Sequence, residues 1–151
     1  MNQEYFLEHL EYKNGDLFYK KTGKIVSNIE PIGYVRVCLH NKQYKAHRVI
    51  WMMHYGYMPE FLDHVDGNRT NNKIENLRPA TKQQNAFNRK IGKTNKSGVK
   101  NVSWSEDRQT WHIQISANNK KRHWFAKDLE LAQLVAQEAR RKFHGNFANY
   151  I

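Results

Sequence analysis

The 151-residue chain contains a single cysteine, Cys38. That excludes an intramolecular disulfide and any cysteine-rich zinc site, so no structural zinc is expected. No apolar run approaches the length that spans a bilayer, and the opening MNQEYFLEHLEY lacks a basic-then-apolar signal pattern. Neither a membrane partner nor secretion is expected, and the sequence is assigned to a reducing cytoplasm. A Gly-rich phosphate loop, internal repeats and low-complexity tracts are also missing. Acidic residues are scarce: 14 Asp and Glu face 25 Lys and Arg, a net charge of +11. The length suits one ordinary domain or two small ones, and hydrophobic residues at 39% allow a modest core.

The positive excess is concentrated. Residues 1–88 hold 12 basic and 9 acidic side chains, residues 89–127 hold 10 and 2, and residues 128–151 hold 3 and 3. A basic block interleaved with aromatics predicts a polyanionic partner, nucleic acid first. An anionic membrane surface fits less well, because no basic amphipathic helix lies within the block.

Residues 1–45 read as short strands. In DLFYKKTGKIV a Gly turn separates two runs able to pair as a hairpin. In GYVRVCLH, Val35, Val37 and Leu39 alternate with Arg36, Cys38 and His40, the period of a half-buried strand, and Asn41-Lys42 turns the chain. AHRVIWMMHY, residues 46–55, predicts a short helix stopped by Gly56, with His47 and His54 as packing residues. A further helix is expected after Pro79, with Thr81 and Gln84 in capping-box spacing. KIGKTNKSG is polar, basic and carries two glycines, and reads as a linker. Beyond it, TWHIQIS predicts a strand with Trp111, Ile113 and Ile115 on one face, and ANNKKRH a hairpin turn. A helix opened by Asp128 follows, with a stripe of Leu129, Ala132, Val135, Ala136, Ala139 and Phe143, ended by Gly145.

LDHVDGNRTNNKIENLRPATKQQN, residues 62–85, carries the chemistry. Cleaving a phosphodiester needs a base that titrates near neutrality, which His supplies. It also needs charge stabilisation, which one divalent cation on hard oxygen ligands supplies. Asp63 and His64 are adjacent and would point to opposite faces of a strand. Asn76 and Asn85 follow on a return strand and a helix. Asn68, Asn71 and Asn72 read as turn formers, and Asp66 as the opening of an Asp-Gly turn.

The order and spacing of AHRVIWMMHYG and LDHVDGNRTNNKIENLRPATKQQNAFNR, about residues 44–90, resemble the HNH nuclease family, in particular the phage and intron-encoded homing endonucleases. The resemblance implies an α+β fold: N-terminal strands plus a ββα-metal unit. It implies His64 as general base, Asp63 and Asn85 as metal ligands, and Asn76 as the residue that holds the loop and helps orient the base. Lys82 is added as a contact to the scissile phosphate. The implied cofactor is a divalent metal ion, Mg²⁺ first and Mn²⁺ next. The implied partner is double-stranded DNA, and the implied setting is the cytoplasm of a bacterial host if the chain is phage-encoded.

Residues 96–150 resemble the Apetala/ethylene-response-factor type of DNA-binding domain, on SGVKNVSW, the strand around Trp111, the Ala-rich helix and HGNFANY. This implies a three-stranded antiparallel sheet packed on one helix, with the exposed sheet face in the major groove. His123-Trp124-Phe125-Ala126 lacks the Gly usual in that family before the helix. The expected organisation is an HNH region over residues 1–90, a basic linker over 91–97 and the DNA-binding module over 98–151. Expected DNA contacts are Arg89, Lys93, Lys96, Lys100, Trp104, Gln114 and Arg122. A non-cleaving DNA-binding regulator and an RNA-binding basic protein remain alternatives at this point. Oligomeric state and target sequence stay open.

Overall fold

The structure, a computed structural model, describes residues 2–89, 91, 92 and 94–148. The chain divides into two compact units, Met1–Thr81 and Lys82–Ile151.

The first unit opens with a helix, α1 (Gln3–His9), where strands were expected. Asn2 decides this locally: its side chain accepts a hydrogen bond from Tyr5 N–H at 3.1 Å, capping the first turn, and Phe6 is buried beneath it. Strands β1 (Leu10–Lys13) and β2 (Asp16–Tyr19) pair antiparallel. Their loop is Asn14-Gly15, with φ of +48° and +100°, the two-residue turn whose twist matches the strands it joins. The hairpin expected around Gly23 reduces to one bridge, Phe18 to Ile25. A second sheet, in the order β3 (Asn28–Ile29), β4 (Val35–Leu39), β5 (Lys42–Lys45), has the expected alternation, with Val37 and Leu39 buried. Its tight turn is His40-Asn41, both at positive φ, one residue earlier than expected.

Helix α2 (Ala46–Tyr55) covers the span expected from sequence. Gly56 ends it at φ +72°, donating its N–H to Met52 O at 2.9 Å. Val49, Ile50, Trp51 and Met53 bury one face in a core shared with Leu10, Leu17, Val37, Leu62 and Leu77. Strands β6 (Phe61–His64) and β7 (Leu77–Ala80) then pair antiparallel, placing Asp63 opposite Arg78 and His64 opposite Leu77. The polar loop between them carries the Asn residues.

The second unit begins with α3 (Lys82–Phe87). This helix was expected at the end of the nuclease region. Its Phe87 ring stacks on His144, with centroids 3.7 Å apart. At the end of the expected linker, the side chain of Asn95 bridges Gly98 N–H, Ser97 Oγ, Val99 O and Val102 O, which makes residues 95–102 an organised turn. Strands β8 (Val102–Ser105), β9 (Thr110–Ala117) and β10 (Lys120–Ala126) form the expected antiparallel sheet with β9 in the middle. Asn118-Asn119 make its second turn, both at positive φ. Helix α4 (Leu129–His144) covers one face. Asp128 caps it, accepting from Leu131 N–H at 2.7 Å, and Ala132, Ala136 and Ala139 are buried. Small residues at this spacing let helix and sheet approach closely. The overall class is α+β. No helix among the described residues is long and apolar enough to cross a membrane.

Candidate active site

Strand β6 alternates Leu62, Asp63 and His64 across its two faces, and all three are buried. Asp63 pairs across the hairpin with Arg78. Arg78 donates Nε and Nη2 to Asp63 Oδ2 at 3.0 and 2.9 Å, and the strand register sets the two residues directly opposite. A buried carboxylate needs such a partner, since an isolated one costs several kcal/mol.

His64 is only 4% exposed. Its Nε2–H donates to Asn72 Oδ1 at 3.1 Å, which selects the tautomer with Nδ1 unprotonated. Burial holds its pKa below the usual histidine value; the Asn72 bond and the Asp66 and Asp63 charges oppose this without reversing it. The imidazole is therefore neutral at pH 7, the form a general base requires. Asn72 was expected to be a turn former. It is instead 4% exposed and bonded to His64, because the loop folds back over the end of β6. Nothing in a run of Asn residues distinguishes the one that turns inward.

The loop is braced by Asp66 and Asn76. Asn76 Nδ2 donates to Asp66 Oδ1 and Asn71 O at 3.0 and 2.8 Å, and its Oδ1 accepts from Asp66 N–H at 3.1 Å. Asp66 Oδ1 also accepts from Asn68 N–H, and its Oδ2 from Asn71 Nδ2. Partial burial pushes the Asp66 carboxyl up, but the donors from Asn71, Asn68 and Asn76 together hold it below the usual range. Asn76 thus holds the loop, and the direct bond to His64 that is seen comes from Asn72. Asp66 does more than open a turn: it is the hub of the loop.

His47 joins the site from α2. It is 4% exposed, its ring centroid lies 5.0 Å from that of His64, and Tyr34 lies 5.0 Å beyond it. Burial first, then the charges of His64, Lys45 and Arg48, push its pKa down to about 3. It is a packing residue, as expected from sequence, and its packing partner is His64.

Asn85 and Lys82 lie on α3, in the second unit, with Asn85 half-buried and Lys82 exposed. Among the described residues no group of three or more His, Cys, Asp or Glu is placed to hold a metal ion. The donors singled out by sequence are a carboxylate, Asp63, and an amide oxygen, Asn85, both of the kind a hard divalent ion takes.

The expected DNA contacts separate by register. On the sheet face away from α4, Gln114 is accompanied by His112, His123 and Phe125. His112 stacks between His123 and Phe125, at centroid distances of 5.1 and 5.0 Å, and the Arg108 guanidinium sits 4.5 Å over Phe125. Sequence reasoning missed this stack, whose members meet only through the β9–β10 register. Trp104 and Arg122 have the opposite parity. Trp104 pairs with Trp111, and Arg122 lies 4.2 Å over the Phe143 ring of α4. Neither projects from the outer sheet face. Lys100 is turned inward: its ammonium donates to Phe87 O at 2.8 Å and to Arg89 O, and burial, with Arg140, pushes its pKa down to about 8. Arg89 and Lys96 are exposed. Lys93 lies outside the described residues.

The site thus combines a buried Asp-His pair on a strand, an Asn-braced loop and a return strand. Residues 44–87 match the model of the HNH endonuclease family. The chain is 36% identical over 112 residues to Protein 3.8 of Escherichia phage T7, covering 71% of this chain and 93% of that protein. The chain belongs to one family with that phage protein, and its residues 44–87 carry an HNH endonuclease domain. It is also 43% identical over 62 residues to an uncharacterized HNH endonuclease of Acanthamoeba polyphaga mimivirus, spanning 39% of this chain but only 33% of that one. Among solved structures, the HNH homing endonuclease I-HmuI aligns over 77% of this chain and 71% of its own, at 26% identity and a TM-score of 0.44.

Proposed function

We propose that this protein is a divalent-metal-dependent, homing-endonuclease-like DNA endonuclease that hydrolyses a phosphodiester bond with His64 as general base, acting in the cytoplasm of a bacterial host. The observation that carries this is the state of His64: buried, neutral, held by Asn72 through Nε2, and next to a carboxylate in sequence. In this reading His64 Nδ1 takes a proton from water as the water attacks phosphorus. Asn72 fixes the ring, and the Asn76–Asp66 bracing holds Asn72 in turn. Asp63 and Asn85 would hold the metal ion, which when bound would supply stabilisation of charge on the leaving oxygen. Lys82 contacts the scissile phosphate.

The second unit is proposed as the DNA-binding module, of the Apetala/ethylene-response-factor kind. Its three-stranded sheet on one helix supports this, as do the exposed aromatic, His and Arg108 side chains on the outer face beside Gln114. A β-sheet face of this size fits the major groove of double-stranded DNA.

The test is incubation of supercoiled plasmid with wild-type protein and His64→Ala, with Mg²⁺ and with EDTA. Nicked or linear product should require both His64 and the ion, while His64→Ala keeps its gel shift. Equal cleavage by both proteins in Mg²⁺ would refute the assignment. The Arg78–Asp63 pair favours one second reading, a non-cleaving DNA-binding regulator in which the carboxylate only balances an arginine. That reading predicts a gel shift and no cleavage in Mg²⁺ or Mn²⁺.

A further inference from the structure

Beside the base, the first unit gathers positive charge on one aromatic ring. Lys45 Nζ lies 4.4 Å from the Tyr34 ring centroid, and the Arg69 guanidinium lies 5.0 Å from it. Arg69 comes from the Asn-rich loop and is fixed there by donating Nη1 to Ile32 O at 2.6 Å. Its stem runs past Gly33, at 3.8 Å from where a Cβ would stand. Lys45 ends β5 and is paired in register with Arg36, so two like charges face each other across strands, an arrangement that costs stability. Among the described residues, none of these three cations makes a salt bridge. Arg36 Nε is buried with no hydrogen-bond partner. Tyr34 is itself linked to the base: its ring lies 6.0 Å from that of His64.

Cation–π contacts offset part of this repulsion. A bound anion would offset far more. We propose that Lys45 and Arg69, held together on Tyr34, form a phosphate seat for the DNA strand that His64 acts on, gripping a backbone phosphate that flanks the scissile one. The inference rests on the endonuclease reading for the identity of the anion. Arg69 suits it, because a guanidinium bonds phosphate through two parallel donors. The seat supplies position: a strand held one ring away from His64 presents its neighbouring phosphate to the base. No base edge is read, so the contact is independent of sequence.

The test uses the full chain carrying His64→Ala, so that duplex is not consumed, and a mixed-sequence DNA duplex as probe. Binding is measured over a series of salt concentrations. Neutralising each phosphate contributes about 0.9 to the slope of log K against log salt. Lys45→Ala with Arg69→Ala should therefore lower the slope by about 0.9 where the two share one phosphate and by about 1.8 where they hold two. Lys45→Arg with Arg69→Lys should restore it, which a loss of packing would not. Circular dichroism confirms the fold of each variant. An unchanged slope in the double-alanine variant, with cleavage by the His64 protein intact, overturns this inference and leaves the endonuclease reading standing. A reduced slope with no cleavage by the His64 protein supports Lys45 and Arg69 as a backbone-phosphate seat but overturns its place beside a scissile phosphate, together with the endonuclease reading. No duplex binding at any salt concentration overturns both.

Discussion

His47 makes the first unit acid-sensitive in a way that can be measured. Its imidazole is buried against His64 and Tyr34, and Nδ1 has no hydrogen-bond partner. Folded, it titrates at about 3, against the ordinary 6.5. Between these values the unfolded chain binds a proton that the folded chain does not, so stability rises with pH through this window and falls as pH drops. The gap sets a ceiling of about 5 kcal/mol, reached only below pH 3, and about 2 kcal/mol is already lost at pH 5. His47→Phe keeps a ring of similar size and removes the titration. Urea unfolding of both proteins at pH 7.5 and pH 5 isolates the effect, because His64 and the whole second unit are common to both. Wild type should lose about 2 kcal/mol more than the variant on acidification. Parallel losses would refute the argument, since His47 would then take up its proton without unfolding.

Other outcomes follow from the same contacts. Asn72→Ala removes the bond to His64 Nε2 and should lower kcat by about ten- to a hundredfold with little change in KM, because a general base contributes about 10²–10⁴ in all; an unchanged kcat on plasmid would exclude Asn72 from positioning the base. Asn76→Ala breaks three loop hydrogen bonds and should cost about 1–3 kcal/mol in urea unfolding. Arg140 is 1% exposed and donates Nη1 to Lys100 O, so Arg140→Ala should destabilise the second unit by about 3 kcal/mol through a cavity and an orphaned carbonyl. Lys100, with its pKa pushed down to about 8 from 10.5, makes stability rise from pH 8 towards pH 10.5, since the unfolded chain holds the extra proton over that range; Lys100→Met should flatten that rise in thermal melts.

Much of this was legible in residue order. Hydrophobic spacing and Gly56 defined α2, and alternation defined β4 and β9. Asp128 and the Ala-rich stripe defined α4, because helix caps and periodic faces are local properties. Where local signals competed, reading failed. Asn14-Gly15 is a stronger hairpin signal than the Gly23 turn that was favoured in its place, and Asn2 turned an expected strand into a helix. Lys100, Trp104 and Arg122 were named as DNA contacts from the family resemblance of the second module. Residue order could not show that Lys100 donates to carbonyls and that Trp104 and Arg122 pack on aromatic rings, since which face a residue takes depends on strand register, and one residue of slip inverts it.

The sequence alone determined the order of chemical groups: an acid and a histidine side by side, an Asn-rich loop, and a basic module beyond it. Those follow from residue types and spacing. The tertiary structure decided which asparagine bonds His64, which arginine balances Asp63, and which aromatic ring gathers Lys45 and Arg69. Each is a contact between side chains from different elements, and such contacts exist only after strand register and packing have brought those elements together.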